Sequence, residues 1–499
     1  MLNVGSITEQ TREMLAKAIL SGTKDGSLKK AITTSTGLTG INLQAPAMQL
    51  VPLMSPLRQM IPRVTRAGAT ASQYKRITSL SSPKPTTTES AAGATFATVV
   101  DNPSVTYRVL GVQGQVTREA VAASEGFDPA LAKETANALL LYMKLEEQYI
   151  LGGNRTALAD PGAPTVAGVS TGGSIGAGTY TVRIFALTLP AANRVTIRRP
   201  ADWDGTDANI AAYAITASPN TIDGLTSSDG VESGSAEAST GALSGSTNRI
   251  RISWAPVAGA AAYAVSVGLA TGITSGSFQV ITTQTAITLT SYIALGTNVP
   301  GATVSSSADS NAYDGIIPQL LAAGSGSYLK TLTAKLSGSS TTGEITEIAD
   351  ACQNIWDNAR VGRLRVLCGG QEARALTARG VASNSLNIIT NPVEAGRASV
   401  TFGAHVGQII NPVTGDMMPV DVMPWMPGGT VILVPTEIPY PDANLSAPFD
   451  MAMGYDTERW DYASTTSTGP VYPFEVRSYG ALRVIFSGGC GMISDIYKG

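Results

Sequence analysis

A chain of 499 residues that is 43% hydrophobic and only 14% charged, with 52 Gly and 27 Pro, suffices for two to four domains at roughly 100 to 200 residues each. It has too little charge to keep every face in water, so extensive contact with other protein is expected. The net charge of -3 excludes a chain whose main work is gripping phosphate backbones, which concentrates Lys and Arg on one face; contact with DNA should be weak and nonspecific.

The three cysteines, Cys352, Cys368 and Cys490, are too few and too scattered for a disulfide scaffold or a four-ligand zinc site, and read as reduced thiols of a cytosolic product. No basic-then-apolar leader and no run near the roughly 20 apolar residues of a bilayer span is visible, so neither export nor membrane insertion is expected.

From Met1 to about Ala47 the sequence is polar and Gly/Thr-rich, an extended arm with one short amphipathic stretch, Thr8 to Leu20. Pro46, Pro52, Pro56 and Pro62 punctuate the apolar segment Met48 to Val64; that spacing forbids a long helix and predicts a strap with short turns. Next, Tyr74 to Ile77 and Thr95 to Val100 flank the Ser/Pro/Thr-rich stretch Ser79 to Gly93, the pattern of a long protruding hairpin. Val105, Tyr107 and Val109 alternate with polar residues, and sheet continues to Val116. Asp128 is suited to cap a helix and Pro129 to open it; Leu131, Thr135, Ala138, Tyr142, Leu145 and Tyr149 then form a stripe that ends at Gly152 and Gly153.

After Arg155 lysine disappears until Lys330 while Gly, Ala, Ser and Thr dominate, which marks an inserted domain. Alternation at Tyr180 to Ile184, Ile250 to Trp254, Tyr263 to Val267 and Ile287 to Leu289 predicts a β-sandwich. Beyond Ser305, Thr341 and Glu344 form a capping-box pattern before a helix with Ile345, Ile348, Cys352, Ile355 and Trp356 on one face. A strand Leu364 to Cys368, a helix Gln371 to Arg379, a hairpin turn Asn411 to Gly415, a buried strand Val431 to Val434 and a last strand Leu482 to Phe486 follow. That order is α+β.

No catalytic, cofactor-binding or metal site emerges. His405 is the sole histidine, which excludes a His-rich metal site and reads as a satisfied polar contact. The glycine stretches Gly172 to Gly178, Gly324 to Gly326 and Gly369-Gly370 lack the residues of phosphate or dinucleotide loops and read as turns. Asp202, Asp204 and Asp207 lack the turn and bidentate Glu of a calcium loop and read as a solvated loop.

The ordered set resembles the Hong Kong 97-type major capsid family of tailed bacteriophages. Its arm, strap and hairpin, with the helix Asp128 to Ile150 ending in LGGN, are similar to that family's N-terminal arm, E-loop and spine helix. Tyr313 to Pro318 (YDGIIP) resembles the re-entry into the pattern after an insertion, Phe402 to Val434 the axial-domain hairpin and strand, and Tyr479 to Phe486 the closing peripheral strand. In the insert, GAGTYTV at Gly176 to Val182, ISWAPVAG at Ile252 to Gly259 and AYAVSV at Ala262 to Val267 look like immunoglobulin-like or fibronectin-like modules of virion proteins.

The resemblance implies an arm and strap at 1–65, an extended loop at 66–104, a peripheral domain with spine helix at 105–160, an inserted immunoglobulin-like sandwich at 161–305, and an axial domain returning to the peripheral domain at 306–499. It implies a non-enzymatic subunit that self-assembles into pentamers and hexamers of an icosahedral shell around double-stranded DNA. The shell would form in the host bacterial cytoplasm with separate scaffolding and portal proteins, and decoration proteins could join it. Some relatives link a loop Lys to a neighbour's Asn; Lys75 and Lys84 lie in the loop without an alignable acceptor, so noncovalent locking is expected. The rivals are an encapsulin-like compartment of the same fold and, remotely, a sandwich-based adhesion protein.

Overall fold

The computed structural model describes residues 12–13, 54–65, 69–89, 92–124, 129–193, 212–213, 232–234, 238–269, 277–291, 308–338, 344–382, 406–438, 447–462 and 471–497. The chain divides into two units, Met1–Val51 with Ala122–Pro129, and Pro52–Val121 with Ala130–Gly499. The second unit carries the architecture below. Thr8 to Leu20 apart from residues 12–13, with Asp128, Asp202, Asp204, Asp207, Thr341 and His405, lie outside the described residues.

Pro56 opens a one-turn helix, α1 (Pro56–Met60), and Pro62 follows it, so the strap turns once and becomes strand β1 (Arg63–Thr65). A ribbon of β2 (Ala71–Gln73) and β5 (Ser104–Thr106) carries a hairpin of β3 (Arg76–Leu80) and β4 (Thr98–Asp101). Strand β6 (Arg108–Thr117) and helices α2 (Arg118–Ser124) and α3 (Ala130–Gly152) come next.

In the segment expected as an insert, β7 (Thr165–Val169) and β8 (Tyr180–Leu187) lead to a short α4 (Leu189–Ala192). The remaining strands are β9 (Ala212–Tyr213), β10 (Glu232–Gly234), β11 (Ala238–Ser239), β12 (Arg249–Ser253), β13 (Ala262–Leu269), β14 (Ser277–Thr282) and β15 (Ala286–Leu289). The last part runs through α5 (Ile316–Leu321), β16 (Tyr328–Thr331), α6 (Thr346–Ala359), β17 (Leu364–Cys368) and α7 (Gly370–Ala382). It closes with β18 (Gln408–Ile410), β19 (Met417–Val422), β20 (Val431–Pro435), β21 (Phe449–Asp461), β22 (Val471–Val484) and β23 (Gly491–Ser494). The fold is α+β.

One sheet has the order β1-β21-β22-β6. Helix α3 lies across it through Ala138 and Tyr142, which pack on Val116, Phe474 and Val476. The Tyr142 hydroxyl is satisfied by Ser478 Oγ at 2.5 Å. A second sheet has the order β16-β23-β20-β17-β19-β18 and divides two cores. Val431 and Leu433 of β20 face Ile348, Cys352 and Ile355 of α6, while Ile432 and Val434 belong to the core around Ile150, Leu320 and Leu482. A strand apolar on both faces, Val-Ile-Leu-Val, is what that central position requires.

The insert is a two-layer sandwich, β10-β8-β13-β14 with β11 beside β8, against β7-β12-β15-β9. Val182, Ile184, Val265, Ile250, Ile252 and Ile287 fill it. Its expected strands are all present. Every residue of β8 is buried, because the face opposite the sandwich core is covered as well. Phe185, Leu187, Ala262, Ala264 and Ile281 join the main core with Ile150, Ile316 and Leu320. Hydrogen bonds from Tyr263 to Asp495 (3.0 Å) and between Thr285 and Tyr497 (2.7 Å) tie the insert to the C-terminal segment.

Three local expectations need correction. The C-terminal half of α3 buries Glu146, Glu147, Gln148 and Ile150, while Leu145 is half-buried and Lys144 sits 4.4 Å from the Trp425 ring centroid. Helix α6 starts at Thr346 with Ile345 as N-cap and no side-chain cap; Glu347 instead accepts from the Ser337 backbone N–H at 3.0 Å and its hydroxyl at 2.5 Å. The final strand is β23, reached after β22 ends at Val484.

Candidate assembly surface

The β3–β4 hairpin pairs with no other strand among those described. Its register is Arg76 to Asp101 and Leu80 to Thr98, and an Arg76–Asp101 ion pair of 2.8 Å closes its base. Beyond that base, Ile77 is 66% exposed, Leu80 59%, Phe96 67%, Val99 52% and Val100 48%. A two-stranded ribbon is marginal in water by itself, and five large apolar side chains in solvent make this one costly unless it is covered. Lys75 and Lys84 are also exposed on it.

Among the described residues, further apolar side chains are exposed at two other places. At the edge of the six-stranded sheet, Ile410, Val413, Met417 and Val422 are exposed on the β18–β19 hairpin. Its turn is built as expected: Gly415 adopts φ 77° and donates to the Asn411 carbonyl at 2.8 Å, while Asn411 Nδ2 donates to the Gly362 carbonyl at 2.8 Å. At the far end of β21–β22, Trp460, Tyr462 and Tyr472 are exposed and the Arg477 guanidinium lies 4.2 Å from the Trp460 ring centroid.

The strap is fastened to α3 by two consecutive glutamates. Glu146, 1% exposed, accepts from Arg58 Nε at 2.5 Å and from Arg63 Nη2 at 2.9 Å. Arg63 also donates to Asp456 at 2.7 Å. Burial works against the Arg63 charge, but Glu146 and Asp456 outweigh it and hold the guanidinium above its ordinary range. Glu147 accepts the Arg58 backbone N–H at 3.2 Å. Burial pushes its carboxyl up to about 7, against backbone N–H groups of Arg58 and Leu57 and the Arg58 charge, which favour the anion. Glu147 thereby caps a one-turn helix from another part of the chain.

Among the described residues no group of His, Cys, Asp or Glu could hold a metal ion. Burial pushes the Cys352 and Cys368 thiols up to about 12 and Cys490 higher still, so none forms a thiolate readily. A cleft of about 490 Å³ beside the hairpin base is lined by Arg76, Arg155, Asp101 and Asp314 among others, a balanced set of charges. Gly172, Gly178, Gly324 and Gly326 have positive φ; Gly324 lies in a turn, Gly172 in a bend, and Gly178 bridges to Leu243. No described helix is long and apolar enough to cross a membrane.

Sequence reasoning located the hairpin and the β18–β19 turn, but missed the strap fastening, because Glu146 and Glu147 fall outside the apolar stripe from which the helix is read. The signal was their nearness to two arginines in the strap, which carries no sequence spacing.

No family model matches the chain, and no curated protein sequence matches it. Several solved structures are similar. The cyanophage A-1(L) capsid is 11% identical, covering 93% of this chain and 98% of that one, with a TM-score of 0.42. The capsid of the native GTA particle is 8% identical over 93% of this chain and 98% of that one, TM-score 0.39. The holo-SrpI encapsulin complex from Synechococcus elongatus PCC 7942 is 6% identical over 94% and 97%, TM-score 0.40.

Proposed function

We propose that this chain is the major capsid protein of a tailed bacteriophage, a shell-forming subunit of the Hong Kong 97 type with no catalytic activity. The observation that carries this reading is the solvent-stranded apolar hairpin, Ile77, Leu80, Phe96, Val99 and Val100, on a body whose other edges offer apolar surfaces as well. Such a subunit reaches over its neighbours. Contacts between different patches of identical chains close into rings, here pentamers and hexamers, and rings into a shell. The near-neutral balance of charge suits weak contact with packaged double-stranded DNA, and the location is the virion, with assembly in the host cytoplasm. Scaffolding and portal proteins are the further partners, and the insert is read as immunoglobulin-like.

The test is to express the full chain, alone and with a separate scaffolding protein, and examine the lysate by light scattering and electron microscopy. Hollow icosahedral particles are the expected result, with nucleic acid inside those recovered from virions. A species that stays monomeric at micromolar concentration across salt conditions overturns the reading. Particles holding enzyme cargo and no DNA place the chain in a compartment instead.

A further inference from the structure

The hairpin leaves the body through the β2–β5 ribbon, in which Ser72 is the buried residue of β2. Arg483, near the end of β22, contacts that ribbon and is 2% exposed; its partner Asp450 is 3% exposed. The two face each other across β21 and β22. Arg483 Nε donates to Asp450 Oδ1 at 2.6 Å, and Nη2 donates to Oδ2. The remaining arm, Nη1, donates to Ser72 Oγ at 3.2 Å. The guanidinium also lies 5.4 Å from the Tyr74 ring centroid, and the Tyr74 hydroxyl donates to the Val484 carbonyl at 3.2 Å.

The strand end that carries Arg483 is held although β6 has already parted from it, their pairing ending at Gly480 with Arg108. Gln319 takes the place of a neighbouring strand. Its Nε2 donates to the Leu482 carbonyl at 3.0 Å, and its Oε1 accepts the Val484 N–H at 3.1 Å.

A buried ion pair is a weak source of stability, since desolvation offsets attraction and well-packed apolar residues often do as well. What it adds is direction. A planar fork with two arms fixed on a carboxylate aims its third along one line, and here that line meets the hairpin base. We infer that the Arg483–Asp450 pair is a positioning device that sets the direction in which the hairpin leaves the sheet. Only its consequence for assembly rests on the capsid reading.

The test compares amide hydrogen exchange in the full-length wild type and two variants. Asp450→Leu/Arg483→Met replaces the pair by apolar volume; Ser72→Ala/Tyr74→Leu leaves the pair whole and cuts its link to the hairpin. In both, exchange at residues 71–80 and 98–106 should rise about tenfold while residues 449–453 and 476–482 keep their protection, and particle yield should fall about tenfold. Wild-type exchange of the hairpin in the Ser72→Ala/Tyr74→Leu variant overturns the inference. So does an equal rise throughout the sheet in the other variant, which makes the pair a plain stabiliser. A loosened hairpin with undiminished particle yield upholds the positioning and contradicts the hairpin's role in assembly.

Discussion

At Glu147, pH becomes a handle on the strap. Its carboxyl titrates near 7 in the folded chain against an ordinary 4.5, so between those values the native state binds more protons than the unfolded one. Stability from this group is present below about 4.5 and is lost as pH rises through about 7. Asp495, buried against Tyr263 in the sandwich junction, is likewise pushed up to about 7, chiefly by burial, and adds a loss of the same sign. Amide exchange at residues 56–65, corrected for intrinsic rates, should therefore be slower at pH 6 than at pH 8. Glu147→Gln should remove that difference, while Asp495→Asn, which tolerates the positive φ of 56° there, should leave it in place. An unchanged pH dependence in Glu147→Gln contradicts the assignment. At Tyr142, 1% exposed and bonded to Ser478, truncation to Ala should cost about 3–5 kcal/mol, against within about 0.5 for exposed Glu134→Ala. Equal thermal midpoints would refute the burial of the stripe. That stripe was legible up to Tyr142; beyond it the sequence pointed to Leu145, since a glutamate pair buried by two arginines more than eighty residues away leaves no periodic trace.

Among the elements, the sandwich carries a second buried face that its alternation does not show. The strand pattern at Tyr180 to Ile184 and Tyr263 to Val267 was legible because one face alternates strictly. The other face carries Thr181 and Arg183 beside Phe185 and Leu187, and the polar pair masked a second buried surface. The short α4 that follows β8 seats against α3 so closely that a Cβ on Gly152 would stand 2.6 Å from the Leu189 Cβ. Replacing residues 163–300 by a short Gly/Ser linker should therefore yield aggregated chain, not smooth particles, because Ile150, Ile316 and Leu320 would lose their cover. Folded, assembling deletion particles would contradict this. Phe185→Asp gives the same comparison without deletion: soluble yield should fall sharply, as a buried unpaired carboxylate costs several kcal/mol, whereas exposed Leu269→Asp should be tolerated.

For the whole chain, the order of elements could be read from composition shifts, proline spacing and turn chemistry, and with it the α+β class. Strand partners could not. The six-stranded sheet joins Tyr328 with Gly491, and Val366 with both Val420 and Leu433, pairings set by packing between residues more than fifty positions apart and invisible to local periodicity. The same holds for assembly, which is a property of surfaces left over once these pairings are made. The most direct test is therefore a surface variant that spares every core: Ile77→Ser/Phe96→Ser/Val99→Ser/Val100→Ser, expressed beside the wild type under identical conditions and sized by analytical ultracentrifugation. The account predicts that the wild type sediments as closed particles while the variant remains a folded, small species with an unchanged thermal midpoint. A variant that forms shells in wild-type yield would contradict it.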